Sequence, residues 1–90
     1  MDKQQKRALK KASHHLKPVV RIGQHGLSEG VINETKLSLN VHELIKVHIH
    51  DGQREDRIAM GEALAKACDA ELVHQIGKNF VFFRKRDREG

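Results

Sequence analysis

Val19-Val20-Arg21-Ile22-Gly23-Gln24-His25-Gly26-Leu27-Ser28 is the stretch on which the fold turns. Its first four residues are mostly β-branched and read as a short strand, Val19 to Ile22. Ser28 reads as a helix N-cap, with Glu29 in the first turn, where a carboxylate complements the positive end of the helix dipole. Between strand and helix stand two glycines, Gly23 and Gly26. A strand that turns through two glycines into a helix N-terminus aims several backbone N–H groups at one spot. That spot suits an anion, most often a phosphate. Without Cβ atoms, Gly23 and Gly26 can take positive φ and admit a ligand's backbone closely.

Upstream, residues 3–16 read as a helix. Leu9, Ala12 and Leu16 share one face, while Lys3, Arg7, Lys10 and His14 gather opposite. Pro18 stops that helix, because the residue before a proline avoids helical backbone. Downstream, the helix capped by Ser28 runs to about Asn40 and buries Val31, Ile32, Thr35 and Leu39. Gly30 inside it costs up to about 1 kcal/mol relative to alanine. Close approach to the first strand, or to a ligand at the loop, is the expected compensation.

The rest of the chain continues the alternation of strand and helix. Leu44 to His50 place Ile45, Val47 and Ile49 on one face and Leu44, Lys46, His48 and His50 on the other. Asp51-Gly52 turns into a third helix over about 54–68, burying Ile58, Leu64, Ala65 and Cys68. Gly61 on that stripe predicts tight packing of helix on sheet. Leu72, Val73 and Ile76 belong to another strand, Gly77-Lys78-Asn79 is a hairpin turn, and Phe80 to Phe83 return antiparallel. The order αβαβαββ predicts an α/β (α+β) domain with three helices and a four-stranded mixed sheet. Its strand–helix–strand links favour parallel strands, and the last hairpin adds an antiparallel pair. Residues 1–84 form one domain, and the chain from Arg84 reads as frayed, with 85–90 a flexible basic tail.

Net charge is +5 over 90 residues, and its distribution matters more than its size. Residues 1–26 hold seven Lys/Arg against Asp2 alone, residues 27–83 hold six basic and nine acidic residues, and residues 84–90 hold four basic and two acidic. A neutral-to-acidic body with a cationic opening third sets up a directional field towards a polyanion. No apolar run reaches the roughly 18 residues of a membrane span. The opening MDKQQKRALKKASHHL lacks the apolar core of a secretory signal. Cys68 is the single cysteine, which excludes an internal disulfide and a multi-cysteine zinc site. A cytoplasmic monomer with no membrane partner is expected.

Other chemistries fare poorly. Seven histidines invite a metal site: His48 and His50 share a strand face, and His42 or His74 could join them. Zinc needs three or four converging ligands, and no cysteine or carboxylate has a matching spacing. A histidine-dependent metal nuclease is therefore a weak alternative, and no metal or cofactor is expected. Cys68 on a buried stripe is an inert thiol, Ser28 is a cap, and Asp51, Glu55 and Asp56 stand where a helix start favours acids. No enzyme constellation results. All three aromatics lie within 80–83, with Phe80 and Phe82 on one face and Phe83 on the other. Most are core residues, so recognition of a nucleic acid is expected to use phosphates, sugars and overall shape more than base stacking. A DNA-binding module is the other alternative, although no helix-turn-helix pairing is evident.

Placed in order, these segments resemble a YhbY-type protein, a single bacterial CRM (chloroplast RNA splicing and ribosome maturation) domain. Residues 9–31, LKKASHHLKPVVRIGQHGLSEGV, carry the family's helix, proline, short strand, G-x-x-G loop and Gly-Leu-Ser/Thr helix entry. Glu43 to Val47, Ile76-Gly77 and Val81 to Arg84 match its later parts. The resemblance implies a fold similar to the C-terminal domain of translation initiation factor three. It also implies RNA binding, with single-domain bacterial members associated with the precursor of the large ribosomal subunit and plant relatives acting in organelle intron splicing. The loop is compared with that of KH domains. Many members carry lysine after the first glycine, where this chain has Gln24; the side chain can still donate a hydrogen bond but brings no charge. The residues expected to hold RNA are Gly23, Gln24, His25, Gly26 and Ser28 at the loop. Lys17 and Arg21 are expected beside it, with Lys3, Arg7, Lys10 and Lys11 on the first helix.

Overall fold

The computed structural model describes residues 2–85; the remainder of the expected tail, 86–90, lies outside the described residues. The elements are α1 (Lys3–Ser13), β1 (Pro18–Ile22), α2 (Glu29–His42), β2 (Leu44–Ile49), α3 (Arg54–Ala67), β3 (Glu71–Ile76) and β4 (Asn79–Phe83). The strands form one sheet in the order β1-β2-β4-β3, with β1 parallel to β2 and β4 antiparallel to both neighbours. This is the expected three-helix, four-stranded mixed architecture. The closing hairpin inserts β4 between β2 and β3, so those two run in the same direction without touching.

The core lies on one side of the sheet. Ile45, Val47 and Ile49 of β2 meet Val20 and Ile22 of β1, Phe80 and Phe82 of β4, Leu39 of α2, and Leu64, Ala65 and Cys68 at the end of α3. Period-two alternation in β2 is reproduced residue by residue, since its burial alternates along the strand. Thr35 is fully buried in α2 with its hydroxyl donating to the Val31 carbonyl at 2.8 Å, so its burial leaves no unpaired group. The hairpin turn has two residues, Gly77-Lys78, with Gly77 at φ +58. Positive φ at the first central residue is the type II′ pattern that suits the twist of paired strands.

α1 occupies the opposite side of the sheet from α2 and α3. Directly paired residues of neighbouring strands share a face, so Lys46, Val81 and His74 form one row and His48 and Asn79 belong to the next. Ser13 and His14 line a cleft together with Lys46, His74, Ile76, Asn79 and Val81, none of which belongs to the main core. Two expectations for this part of the chain, and one for its far end, need correcting. The first helix stops at Ser13, because tight bonds (His14 N–H to the Lys11 carbonyl, Leu16 N–H to the Ser13 carbonyl) replace helical ones ahead of Pro18. Ala12 is exposed while Ser13 is buried, its hydroxyl donating to the Lys10 carbonyl at 2.7 Å. The docked stripe is thus Leu9, Ser13 and Leu16.

The third correction concerns Arg84, which is not frayed. Its backbone N–H donates to the Glu43 carbonyl at 2.9 Å. Its guanidinium donates to the Cys68 carbonyl at 2.8 Å, to the Lys36 carbonyl at 3.2 Å and to Asn40 Oδ1. One planar fork thereby ties the second half of α2 to the C-cap of α3, whose carbonyl lacks an intrahelical partner.

Candidate nucleic-acid interface

The loop that follows β1 is a β-turn. The Gly26 N–H donates to the Gly23 carbonyl at 3.0 Å, closing the turn over the exposed Gln24 and His25. The Ser28 N–H donates to the Gly26 carbonyl at 3.1 Å. Ser28 caps α2 as its residue type dictates, its hydroxyl accepting from the Val31 N–H at 3.2 Å. The two glycines therefore differ. Gly26 sits at φ +64, where only glycine is comfortable, and spends its amide inside the turn. Gly23 is outside the left-handed region, and a Cβ there would have nothing within 4 Å. Of the two glycines expected to be free to take positive φ, Gly26 alone does so, and the bare amide expected there is instead spent in the turn.

What the loop does present is a set of other donors. Among the described residues no protein acceptor takes the amides of Gln24, His25, Glu29 or Gly30. The last two are the first N–H groups of α2, at the positive end of its dipole. Gly30 makes no close approach to β1: a Cβ there would meet only the Ser28 hydroxyl, at 3.8 Å. Neither Gly23 nor Gly30 is required by the packing of the free chain.

The charged candidates divide into near and far. Arg21 is exposed on β1 and pairs in register with His48 of β2, on the face that carries α1. It stands two residues from Gly23. Lys17 precedes β1 at the other end of that strand, so at about 3.3 Å per residue it lies roughly 20 Å along the chain from the loop. Lys3, Arg7 and Lys11 are exposed on α1, and Lys10 is half-buried beside His74. Five cations and no acid fall within α1, whereas α2 and α3 together hold four cations and five acids. The field is therefore polarised across the sheet, cationic on the α1 side.

The histidine hypothesis meets a geometric obstacle. The His48 and His50 rings stack with centroids 6.0 Å apart, and His48 Nδ1 lies 3.1 Å from Asn79 Oδ1. His42 closes α2, at the opposite end of β2 from His50. Among the described residues, no group of three or more His, Cys, Asp or Glu side chains is placed to hold a metal ion. Burial pushes the Cys68 thiol up, against the smaller opposing effect of Lys36 and Arg84. A buried thiol of that kind is a packing group, not a nucleophile. No described helix is long and apolar enough to cross a membrane.

Comparison with known proteins matches residues 1–84 to the CRS1/YhbY (CRM) domain. The chain belongs to that family. A Pseudomonas aeruginosa protein named as a probable RNA-binding protein is 40% identical over 88 residues, spanning 98% of this chain and 85% of the relative. An RNA-binding protein of Haemophilus influenzae is 42% identical over 80 residues, covering 89% and 81% respectively. A solved structure from Staphylococcus aureus has a TM-score of 0.86 and 32% identity, covering this whole chain and 94% of its own.

In this CRM domain, reading the sequence missed one part of the cationic face. Lys46, His74 and Asn79 stand under α1, in rows that begin at β1 with Pro18 and Arg21. The alternation of β2 had placed Lys46 and His48 on the polar side. What the pattern lacked was any sign that α1, with its lysines, would cross that same side.

Proposed function

We propose that this CRM domain is a non-catalytic RNA-binding module that holds the ribose-phosphate backbone at the loop 23–26 and along the cationic face of α1. It acts as a cytoplasmic monomer on ribosomal RNA, in the assembly or maturation of the large subunit. The observation that carries the reading is the mouth of α2. Free amides of Gln24, His25, Glu29 and Gly30 lie in the short stretch from the β-turn into the first turn of α2, next to Gly23, a glycine that neither backbone strain nor packing explains. A phosphate accounts for both, since it takes the amides and needs the space that a side chain would fill. Arg21, Lys10 and the exposed α1 lysines supply the attraction that brings it there. RNA as the polymer follows the names of the relatives, and its ribosomal identity follows the family resemblance alone.

Titration of structured ribosomal RNA fragments at several salt concentrations tests the reading. About four to six phosphate contacts give a log–log slope of roughly −3 to −4. A flat response rejects the backbone grip. Equal competition by duplex DNA of the same length would favour a DNA-binding module instead.

A further inference from the structure

The face of the sheet that carries α1 holds a cleft of about 270 Å³, lined by Ser13 at the end of α1, by His14 just beyond it and by Lys46, His74, Asn79 and Val81 of the sheet. We propose that this cleft takes one unstacked nucleobase of the RNA whose backbone is held at residues 23–26. The inference rests on the RNA-binding reading and adds to it a site for base recognition.

Size comes first. The cleft lies just under the range of roughly 300–1,000 Å³ typical of small-molecule pockets, so it suits a single base better than a larger ligand. Its chemistry is of the right kind: an apolar part with a few polar groups. Val81 is 3% exposed, while Ile76, which also lines the cleft, is left 57% exposed without a covering partner. Asn79 has its Oδ1 engaged by His48, which leaves its amide N–H groups to donate. His74 is held below its ordinary pKa, first by partial burial and then by Lys10, His14 and Lys46. At neutral pH its ring therefore offers one donor and one acceptor, as reading a base edge requires. None of the lining residues is acidic, and Lys10 and Lys46 stand ready for the flanking phosphates.

The path from the loop also fits. Arg21, His48, Asn79 and Ile76 occupy one row across the four strands, and Pro18, Lys46, Val81 and His74 the next. Strands lie about 4.8 Å apart, so Arg21 and Asn79 are about 10 Å from one another across the sheet. His48 stands between Arg21 and Asn79 in that row, and its ring stacks with that of His50. Imidazoles, not phenylalanines, are the flat surfaces this face offers to bases.

The test uses the full chain, its amide resonances, and AMP, GMP, CMP and UMP as probes. One of the four should shift Ser13, Lys46, His74 and Asn79 more than the others do. A single-stranded RNA carrying that base should bind about tenfold more weakly to His74→Leu, with the salt slope unchanged. Ile76→Glu, at an exposed position, should remove the same preference. Shifts confined to residues 23–30, or wild-type preference in both variants, overturn the pocket. RNA that responds to Gly23→Ala but not to His74→Leu rejects the pocket and spares the backbone grip. RNA indifferent to both substitutions rejects the two readings together.

Discussion

The Phe80 ring stands against the backbone of Gly61, with Cδ2 2.7 Å and Cε2 2.9 Å from where a Cβ on that glycine would be. Phe80 is fully buried, so a Cβ on Gly61 would force the ring or the helix to shift within the core. Gly61→Ala therefore combines a propensity gain of up to about 1 kcal/mol with overpacking of roughly 1–3 kcal/mol. The expected net result is a destabilisation of about 1–2 kcal/mol. Urea denaturation should show a lower midpoint at unchanged slope; an equal or higher midpoint would mean that the ring repacks freely.

Arg84 supports a second stability prediction. Its guanidinium serves acceptors on both α2 and α3, two of them carbonyls near helix C-termini. Hydrogen bonds from a charged donor are worth more than neutral ones, so Arg84→Ala should lower stability by about 1–3 kcal/mol. Arg84→Lys should recover only part of that, since a point cation cannot match a planar fork. Alkylation of the native Cys68 thiol offers an independent readout. It should be slow in the parent and faster in Arg84→Ala, because the guanidinium helps pin the Cys68 carbonyl. Equal alkylation rates in the two proteins would argue against the brace.

Much of this fold is legible in the residues themselves, and the gaps have physical causes. Gly61 announces a close contact because it interrupts an apolar helical stripe at a cost that only packing offsets. Ile45, Val47 and Ile49 announce a core face because the pleat allows no other reading. By contrast, the stripe of α1 reports that the helix has an apolar side without reporting which side of the sheet receives it. Ser13 was illegible for a related reason: its burial depends on a hydroxyl bond to the Lys10 carbonyl, which only the local geometry reveals. Arg84 resembles tail charge because its acceptors, Lys36 and Cys68, are far away in the chain. At the candidate site the loop was legible from its glycines. The distinct duties of Gly23 and Gly26 were not, since both have the same side chain and differ only in φ and in hydrogen bonding.

That difference yields a contrast among three glycines. Gly26→Ala forces a side chain into φ +64 and should destabilise the fold by about 1 kcal/mol. Gly30→Ala should stabilise it by up to about 1 kcal/mol, as an exposed helical position with room for a methyl group. Gly23→Ala should leave stability within about 0.5 kcal/mol of the parent. If RNA backbone lies over the mouth of α2, Gly23→Ala and Gly30→Ala nevertheless weaken RNA affinity. Thermal melts and RNA titrations on the same preparations separate the two effects, and full affinity in both variants would move the backbone elsewhere.

His74 gives the domain a pH signature whose sign follows from its surroundings. Partial burial is the first cause of its lowered pKa, and Lys10 of α1, His14 at its C-cap and Lys46 of β2 add to it. The native state thus releases this proton more readily than the unfolded chain, whose histidine titrates near 6.5. Above that pH both states are neutral and the residue contributes no penalty. As pH falls through 6.5 the unfolded chain takes up the proton first, so stability declines with falling pH over that window. An NMR titration should place the His74 midpoint below the 6.5 of an unfolded-chain histidine. Lys10→Gln should raise it part of the way, since the burial contribution remains. A His74 midpoint at or above 6.5 would show that α1 does not hold its cations over this strand, and the polarised face would lose its structural basis.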